Sequence, residues 1–143
     1  MFNRKIKVPT DLEMLEYIYQ TYYCEYEKYE IEPSSRQTKI FIPIDCLKIA
    51  EHFGVDRDIV FGRLYYHLEN KYGYIRDDKD KSVVNFFAFD LNKSVNFPYL
   101  ASVLADLKDQ DNRFNKTKNI SIFAIIIAIA SLSVSLFGEV TKL

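Results

Sequence analysis

The chain has 143 residues, of which 48% are hydrophobic and 27% charged, enough for one domain with a packed core and a tail. Its formal net charge is −1, which excludes the strongly basic footprint of a dedicated nucleic-acid binder. The two cysteines and two histidines show neither a zinc-like spacing nor a disulfide framework, so we expect no metal and no cofactor.

The N-terminal region predicts a long helix. Thr10 and Glu13 have the spacing of a capping box, and the helix is expected to run to about Tyr29. Apolar side chains recur on one face at helical spacing: Leu12, Leu15, Tyr19, Tyr22 and Tyr26. Such a stripe indicates core packing more than stacking on nucleic-acid bases, and the seven acids between residues 11 and 32 would repel nucleic acid.

A strand and a short helix are expected next. The run Lys39 to Ile42 favours a strand because it is rich in β-branched and aromatic residues. Asp45 is the expected cap of a second helix, Cys46 to Phe53. Gly54 follows that helix and is expected to end it.

The central region predicts a third helix and two strands. Asp56 is the expected cap of the helix, which runs from Arg57 to about Tyr72. The strands are Tyr74 to Asp77 and Val83 to Phe89, joined by a polar hairpin tip at residues 78–82.

The segment from Ile42 to Ile75 resembles the winged helix-turn-helix family. The resemblance is carried by Ile49-Ala50-x-x-Phe53-Gly54-Val55, then Asp56-Arg57-Asp58-x-Val60, then Arg63-Leu64 and Leu68. In such a domain Ala50 fits the close crossing of two helices, Gly54 makes the turn, and Val55 fills the core beneath it.

The resemblance covers about residues 10–90 and implies an α+β winged-helix domain at residues 1–90, in the order helix, strand, helix, helix, strand, strand. The chain departs from the family pattern at Gly73, which comes one residue late after Leu68. This departure is expected to lengthen the third helix or open its end.

In the family, the third helix enters the major groove of DNA and the hairpin tip contacts the backbone. The resemblance would assign DNA contacts to Arg57, Arg63, Lys71, Arg76, Lys79 and Lys81. Between Asp45 and Lys81, however, there are eight acidic and seven basic residues, so this region has no excess of positive charge. Asp56 and Asp58 also lie where the helix would meet phosphates. Neutralisation of phosphates by basic residues supplies most of the non-specific affinity for DNA. We therefore expect weak affinity for DNA from this surface and keep DNA binding as the second hypothesis.

A protein partner is the favoured hypothesis. Phe61, Gly62 and Tyr65 occupy turns of the third helix where DNA readers often carry polar or basic side chains. The aromatic residues expected to be exposed and to bind a partner are Phe61, Tyr65 and Tyr66. Exposed aromatics among mixed charges suit an unidentified cytosolic protein better. The sequence has no glycine-rich phosphate loop, nucleophile elbow or paired metal ligands, so we do not expect an enzyme.

Residues 91–119 are expected to connect this domain to a membrane anchor. Asn96, Phe97 and Pro98 begin an amphipathic helix, with proline in its first turn. Its apolar stripe consists of Leu100, Val103, Leu104 and Leu107. The stripe can pack back on the domain or pair with its copy in a dimer. Residues 109–119 are polar and are expected to fray into a tether.

Residues 120–138 carry no charge and predict a single transmembrane helix, followed by a short tail at 139–143. The 18 residues from Ile120 to Phe137 would form a helix of about 27 Å, close to the hydrocarbon thickness of ~30 Å. Serine is tolerated in lipid because its hydroxyl can bond to the helix's own carbonyls. The alternative is a buried helix in the core of a soluble oligomer.

The residues around this segment predict its orientation and packing. Arg113, Lys116 and Lys118 precede it, whereas Lys142 beside Glu139 follows, so the positive-inside rule keeps the N-terminal domain in the cytoplasm. Small residues form one stripe on the helix: Ser121, Ala124, Ala128, Ser131 and Ser135. Such a stripe allows close helix approach and homo-oligomerisation, although alanine and serine are also ordinary filler in membrane spans.

Overall fold

A computed structural model gives the fold of residues 7–33, 36–77, 79 and 81–140, with side chains described up to Ser133 in the last helix. The chain is α+β, as expected, with small antiparallel sheets and a long apolar C-terminal helix. It forms two compact units, Met1–Ala105 and Asp106–Leu143. The elements are α1 Asp11–Ile31, β1 Phe41–Pro43, α2 Cys46–Phe53, α3 Arg57–Gly62, a π-helical segment Arg63–Leu68, α4 Glu69–Tyr72, β2 Tyr74–Ile75, β3 Val83–Val84, β4 Phe87–Ala88, β5 Ser94–Asn96 and α5 Phe97–Val140.

The predicted capping box starts α1. The Glu13 N–H donates to the Thr10 hydroxyl at 3.2 Å, and the Thr10 N–H donates to the Glu13 carboxylate at 2.8 Å. Each side chain thus satisfies a backbone donor that the first helical turn leaves without a partner.

The buried face of α1 differs from the predicted stripe. Its buried residues are Met14, Leu15, Ile18 and Tyr22. Tyr19 and Tyr26, expected in the core, lie at its rim and stack on the buried ring of Phe97, with centroids 5.3 and 5.0 Å away. The buried face of α1 differs from the predicted stripe because a tyrosine ring can pack at the edge of the core while its hydroxyl remains in contact with solvent.

The caps and the turn of the two short helices are as predicted. Asp45 accepts hydrogen bonds from the backbone of Leu47 and Lys48, and Asp56 accepts one from Asp58. Gly54 has a φ of 65°, a left-handed conformation in which a side chain would be strained.

The third helix has its predicted ends, Arg57 and Tyr72, but is not α-helical throughout. Its middle turn, Arg63–Leu68, is π-helical, between α3 and α4. A π-helical turn holds more residues than an α-helical one, because its hydrogen bonds reach one residue further. The segment still buries Leu64 and Leu68 fully.

The three-stranded sheet has the order β1-β5-β4, with both pairs antiparallel. Its central strand, β5, was not predicted. The predicted strand from Val83 to Phe89 was wrong as a single element, because it divides into β3 and β4, which belong to different sheets. The first strand begins at Phe41 and includes Pro43, which is tolerated because β1 is an edge strand.

Strands β2 and β3 form a separate two-stranded ribbon, with Tyr74 opposite Val84 and Ile75 opposite Val83. The Arg76 N–H donates to the Ser82 carbonyl at 2.9 Å and closes the ribbon toward its turn. Of the predicted polar tip, Asp78 and Asp80 lie outside the described residues.

Helix α5 begins at Phe97, as predicted, with the Asn96 side chain accepting a hydrogen bond from the Tyr99 N–H. Leu100, Val103 and Leu104 are buried within a single copy of the chain. Of the two predicted uses of this stripe, these residues therefore take the first, packing back on the domain.

Residues 109–119 are helical, so the predicted fraying of the tether does not occur. Side-chain pairs one turn apart support the helix: Arg113 bonds to Asp109 at 2.8 Å, and Asn115 to Asp111 at 3.0 Å. The polar composition of this stretch therefore does not break the helix, because it lacks glycine and proline.

Candidate functional site

Asp11, at the start of α1, binds three basic side chains of the third helix. Its carboxylate forms an ion pair with Arg63, lies 3.2 Å from His67 Nε2, and accepts a hydrogen bond from Lys71 Nζ at 3.1 Å. The Asp11 side chain is only 14% exposed. Burial alone would raise the pKa of Asp11, but the hydrogen bonds from Lys71 and His67 and the charge of Arg63 outweigh it, so this pKa lies below its ordinary value.

The basic residues predicted to contact DNA are therefore not gathered into one surface. Arg63 and Lys71 are held by Asp11, and the hydrogen bond to Asp11 raises the pKa of Lys71. Arg57 lies 3.5 Å from the Asp58 carboxylate in the first turn of α3. A phosphate would have to compete with these carboxylates for the same donors.

The other three basic candidates lie along the ribbon and its turn. Arg76, Lys79 and Lys81 are exposed, and Lys81 has a positive φ of 44°. All three belong to the segment of residues 76–82 that connects β2 to β3, so they lie at the same end of the ribbon.

The aromatic residues predicted for partner binding do lie together. Phe61 and Tyr65 stack with ring centroids 5.5 Å apart, and Tyr66 meets Tyr65 edge-on at 5.0 Å. Phe89 completes the cluster, with its ring 5.7 Å from Phe61 and 6.0 Å from Tyr65. We call Phe61, Tyr65, Tyr66 and Phe89 the aromatic surface.

Exposure within the aromatic surface is unequal. Tyr66 is 72% exposed, Phe89 50% and Tyr65 41%. Phe61 was expected to be exposed but is half-buried, because its ring also packs edge-on against the buried Phe87 at 6.2 Å. Phe89 was missed as a site residue, since its place at the end of a predicted strand gave no sign of exposure.

The aromatic surface continues into an open groove of about 910 Å³. Its lining comes from the π-helical segment and α4 on one side, and from the ribbon, β4 and the following turn on the other: Tyr65, Tyr66, Glu69, Asn70, Gly73, Tyr74, Ile75, Val83, Asn85, Phe87, Ala88, Phe89, Asp90 and Leu91. Among the described residues that line it, Glu69 and Asp90 are the charged ones. The groove is thus aromatic, apolar and acidic.

Glu69 fixes the floor of the groove. Its carboxylate accepts hydrogen bonds from the backbone of Phe86 and Phe87 at 2.8 and 2.6 Å, which ties α4 to the start of β4. Gly73 leaves room for this side chain, because a Cβ at Gly73 would lie 2.5 Å from Glu69 Oε1 and 2.6 Å from the Glu69 carbonyl.

Helix α5 is long and apolar enough to cross a membrane, by length and composition. The hydroxyls of Ser121, Ser131 and Ser133 donate to backbone carbonyls one turn earlier, at 3.0, 2.8 and 2.6 Å. Ala124 and Ala128 of the predicted small-residue stripe are exposed; the Ser135 side chain lies outside the described part.

Among the residues that the structure describes, no three His, Cys, Asp or Glu side chains lie where they could share a metal ion. Comparison of the chain with protein-family models, with curated proteins and with solved structures finds no match. The geometry of the chain itself is therefore the basis for a functional proposal.

Proposed function

We propose that this chain is a membrane-anchored winged-helix module that binds a protein partner through its aromatic surface. One contrast carries the proposal. Tyr65 and Tyr66 of the third helix are exposed, whereas Arg63 and Lys71 of the same helix are held by Asp11. The helix therefore presents rings, and not free cations, to a partner.

The winged-helix assignment is supported by element order and by local structure. A helix, a strand and two helices joined by the Gly54 turn are followed by antiparallel strands. Because β1 pairs with β5, we assign the wing to the β4–β5 hairpin and treat the β2–β3 ribbon as an additional hairpin before it. The wing then contributes Phe89 to the aromatic surface, beside Tyr65 of the third helix.

Binding of a protein is supported by the chemistry of the surface. Tyr and Phe are enriched in the centres of protein interfaces because they bury large areas at low cost in side-chain entropy. The ring of Tyr65 contacts those of Tyr66 and Phe89, and such contacts restrict the rotamers that these side chains can adopt before a partner binds. Preorganisation of this kind reduces the entropic cost of binding.

Membrane anchoring is supported by the second unit of the chain. Its exposed face from Ile120 to Leu132 is apolar, and the serines in it satisfy their hydroxyls within the helix. Arg113, Lys116 and Lys118 lie before the apolar stretch and favour a cytoplasmic first unit.

Self-association in the membrane is part of the proposal. The small-residue stripe extends one position further toward the N-terminus, to Thr117, four residues before Ser121. A helix with one such continuous seam can pack against its copy. Ala128→Ile should abolish the dimer seen by cross-linking in detergent micelles, whereas Ile126→Ala, off the seam, should retain it; an unchanged dimer in Ala128→Ile would count against the seam.

A photo-crosslinking amino acid placed at Tyr66 in the full chain, in its native membrane, tests the partner surface. We expect a discrete protein adduct that disappears when Tyr65→Ala is added. The same group placed at Leu47, an exposed apolar residue of α2, is the matched control and should give no such adduct. Equal adducts from both positions would reject the aromatic surface as the binding site.

A membrane-tethered transcriptional regulator is the second candidate, and the exposed ribbon cations Arg76, Lys79 and Lys81 are the observation that favours it. The full chain in uncharged detergent should then bind duplex DNA at ~50 mM salt and lose affinity steeply as salt rises. We expect no such binding.

A further inference from the structure

The groove beside the aromatic surface has an unusual balance of charge for a protein-binding site. Glu69 and Asp90 line it, together with the amides Asn70 and Asn85, and none of its lining residues that the structure describes is basic. Asp90 is exposed, and Glu69 accepts hydrogen bonds from the backbone N–H groups of Phe86 and Phe87, which leave its negative charge in place. The groove therefore carries negative charge that a ligand could neutralise.

The walls of the groove add a second feature that favours a cation. Five aromatic residues line it: Tyr65, Tyr66, Tyr74, Phe87 and Phe89. The face of an aromatic ring attracts an ammonium or guanidinium group, and arginine also stacks on it. The chain itself shows such a contact, because Lys93 Nζ lies over the Phe61 ring, 5.8 Å from its centre.

We propose that the groove binds an arginine or lysine side chain carried by an apolar segment of a protein partner. The inference rests on the proposed function, because it specifies the chemistry of the partner that the aromatic surface takes. The acids and ring faces would hold the cation, while Ile75, Val83 and Leu91 would contact its apolar neighbours. The same acids exclude a phosphate backbone, and the groove's volume of about 910 Å³ is large enough for several side chains.

The test uses the full chain in uncharged detergent and a short labelled peptide in which leucine alternates with arginine. Matched peptides carry glutamine or glutamate in place of arginine. We expect the arginine peptide to bind at least about tenfold more tightly than the glutamate peptide, with the glutamine peptide between them. Affinity for the arginine peptide should fall with salt, because charge contributes to it.

Variants of exposed residues locate the site. Tyr66→Ala should lower the affinity for the arginine peptide about fivefold. Asp90→Asn should lower it about threefold and should also make the affinity less dependent on salt. Leu47→Ala and Glu51→Gln, an apolar and an acidic residue exposed on α2, are the matched controls and should leave affinity unchanged.

Equal binding of the arginine and glutamate peptides, or equal losses in the groove variants and the controls, would overturn the inference. A protein adduct at Tyr66 together with no preference for the arginine peptide would overturn the cationic ligand and leave the proposed function standing. Loss of both the adduct and the peptide preference would contradict the cationic ligand and the proposed function together.

Discussion

The Asp11 carboxylate neutralises the basic side of the third helix. Its oxygens contact Arg63, His67 and Lys71, which enter from a helix more than fifty residues later in the chain. Removing the charge of a partly buried carboxylate that accepts several hydrogen bonds destabilises the fold. The surrounding cations remain partly shielded from water but lose the negative charge that compensates for it.

Replacing Asp11 with Asn should lower the free energy of unfolding by about 1–3 kcal/mol, since it leaves Arg63 and Lys71 without a counter-charge. Asp58→Asn is the matched control, because Asp58 also lies in the first turn of a helix and faces Arg57, but its side chain is 82% exposed. That change should cost about 0.5 kcal/mol or less. Urea unfolding of both variants in micelles measures the difference; equal losses would contradict the role given to Asp11.

Glu13 gives a pH-dependent prediction. Hydrogen bonds from Lys7 and from Thr10 lower the pKa of Glu13 from 4.5 to about 2. Because the folded chain favours the charged form, Glu13 stabilises the fold fully above pH 4.5, and this contribution is lost as pH falls toward about 2. The Tm of Glu13→Gln should therefore approach that of the unmodified chain across this range, and a constant difference would refute the assignment.

Residue-level predictions from the sequence succeed where the partner is local. The caps at Thr10, Asp45 and Asp56 and the turn at Gly54 depend on residues within one helical turn, and all four are present. The bonds from Asp11 to the third helix could not be predicted, because they depend on how distant elements pack.

At the scale of elements, the sheet shows where local patterns fail. Strand β5 has only three residues, and the turn before it uses Asn92 and Lys93 at positive φ in place of glycine. Neither alternation nor a glycine turn therefore marks the β4–β5 hairpin. The π-helical segment was not predicted either; the late position of Gly73 had suggested only a longer third helix or an opened end.

Two glycine substitutions test how α4 is joined to β4. Gly73→Ala would push its Cβ against the Glu69 carboxylate and carbonyl, so it should lower the free energy of unfolding by about 2 kcal/mol or more. Gly62→Ala meets only Tyr66 Cδ2 at 3.7 Å, an ordinary contact inside a helix, and should be neutral or stabilising by up to about 1 kcal/mol.

A double-mutant cycle makes the element-scale test specific. The methyl group introduced by Gly73→Ala is expected to act by displacing the Glu69 side chain. Gly73→Ala and Glu69→Gln together should then lower the free energy of unfolding by less than the sum of their separate effects. Additive losses would show that Gly73 acts independently of Glu69.

At the scale of the whole molecule, the proposed membrane anchor would limit which partners the first unit can bind. The helix from Phe97 to Val140 joins the candidate interface to an apolar stretch that could cross a membrane. If that stretch is inserted, any partner of the aromatic surface must be reached from the bilayer. The sequence predicted the apolar stretch from its composition and also three residues of the aromatic surface, whereas Phe89 and the groove could be found only from the fold.

The chain's cysteines allow a direct test of membrane orientation. Cys24 is exposed on α1 and Cys46 is buried, so a membrane-impermeant maleimide should report on Cys24 alone in the folded chain. A cysteine appended after Leu143 reports on the opposite end.

The decisive measurement is labelling of this chain in intact and permeabilised bacterial spheroplasts. We predict that the appended cysteine is labelled in intact cells, that Cys24 is labelled only after permeabilisation, and that the chain resists alkaline extraction. Labelling of Cys24 in intact cells would reverse the orientation, and release by alkaline extraction would contradict membrane anchoring altogether.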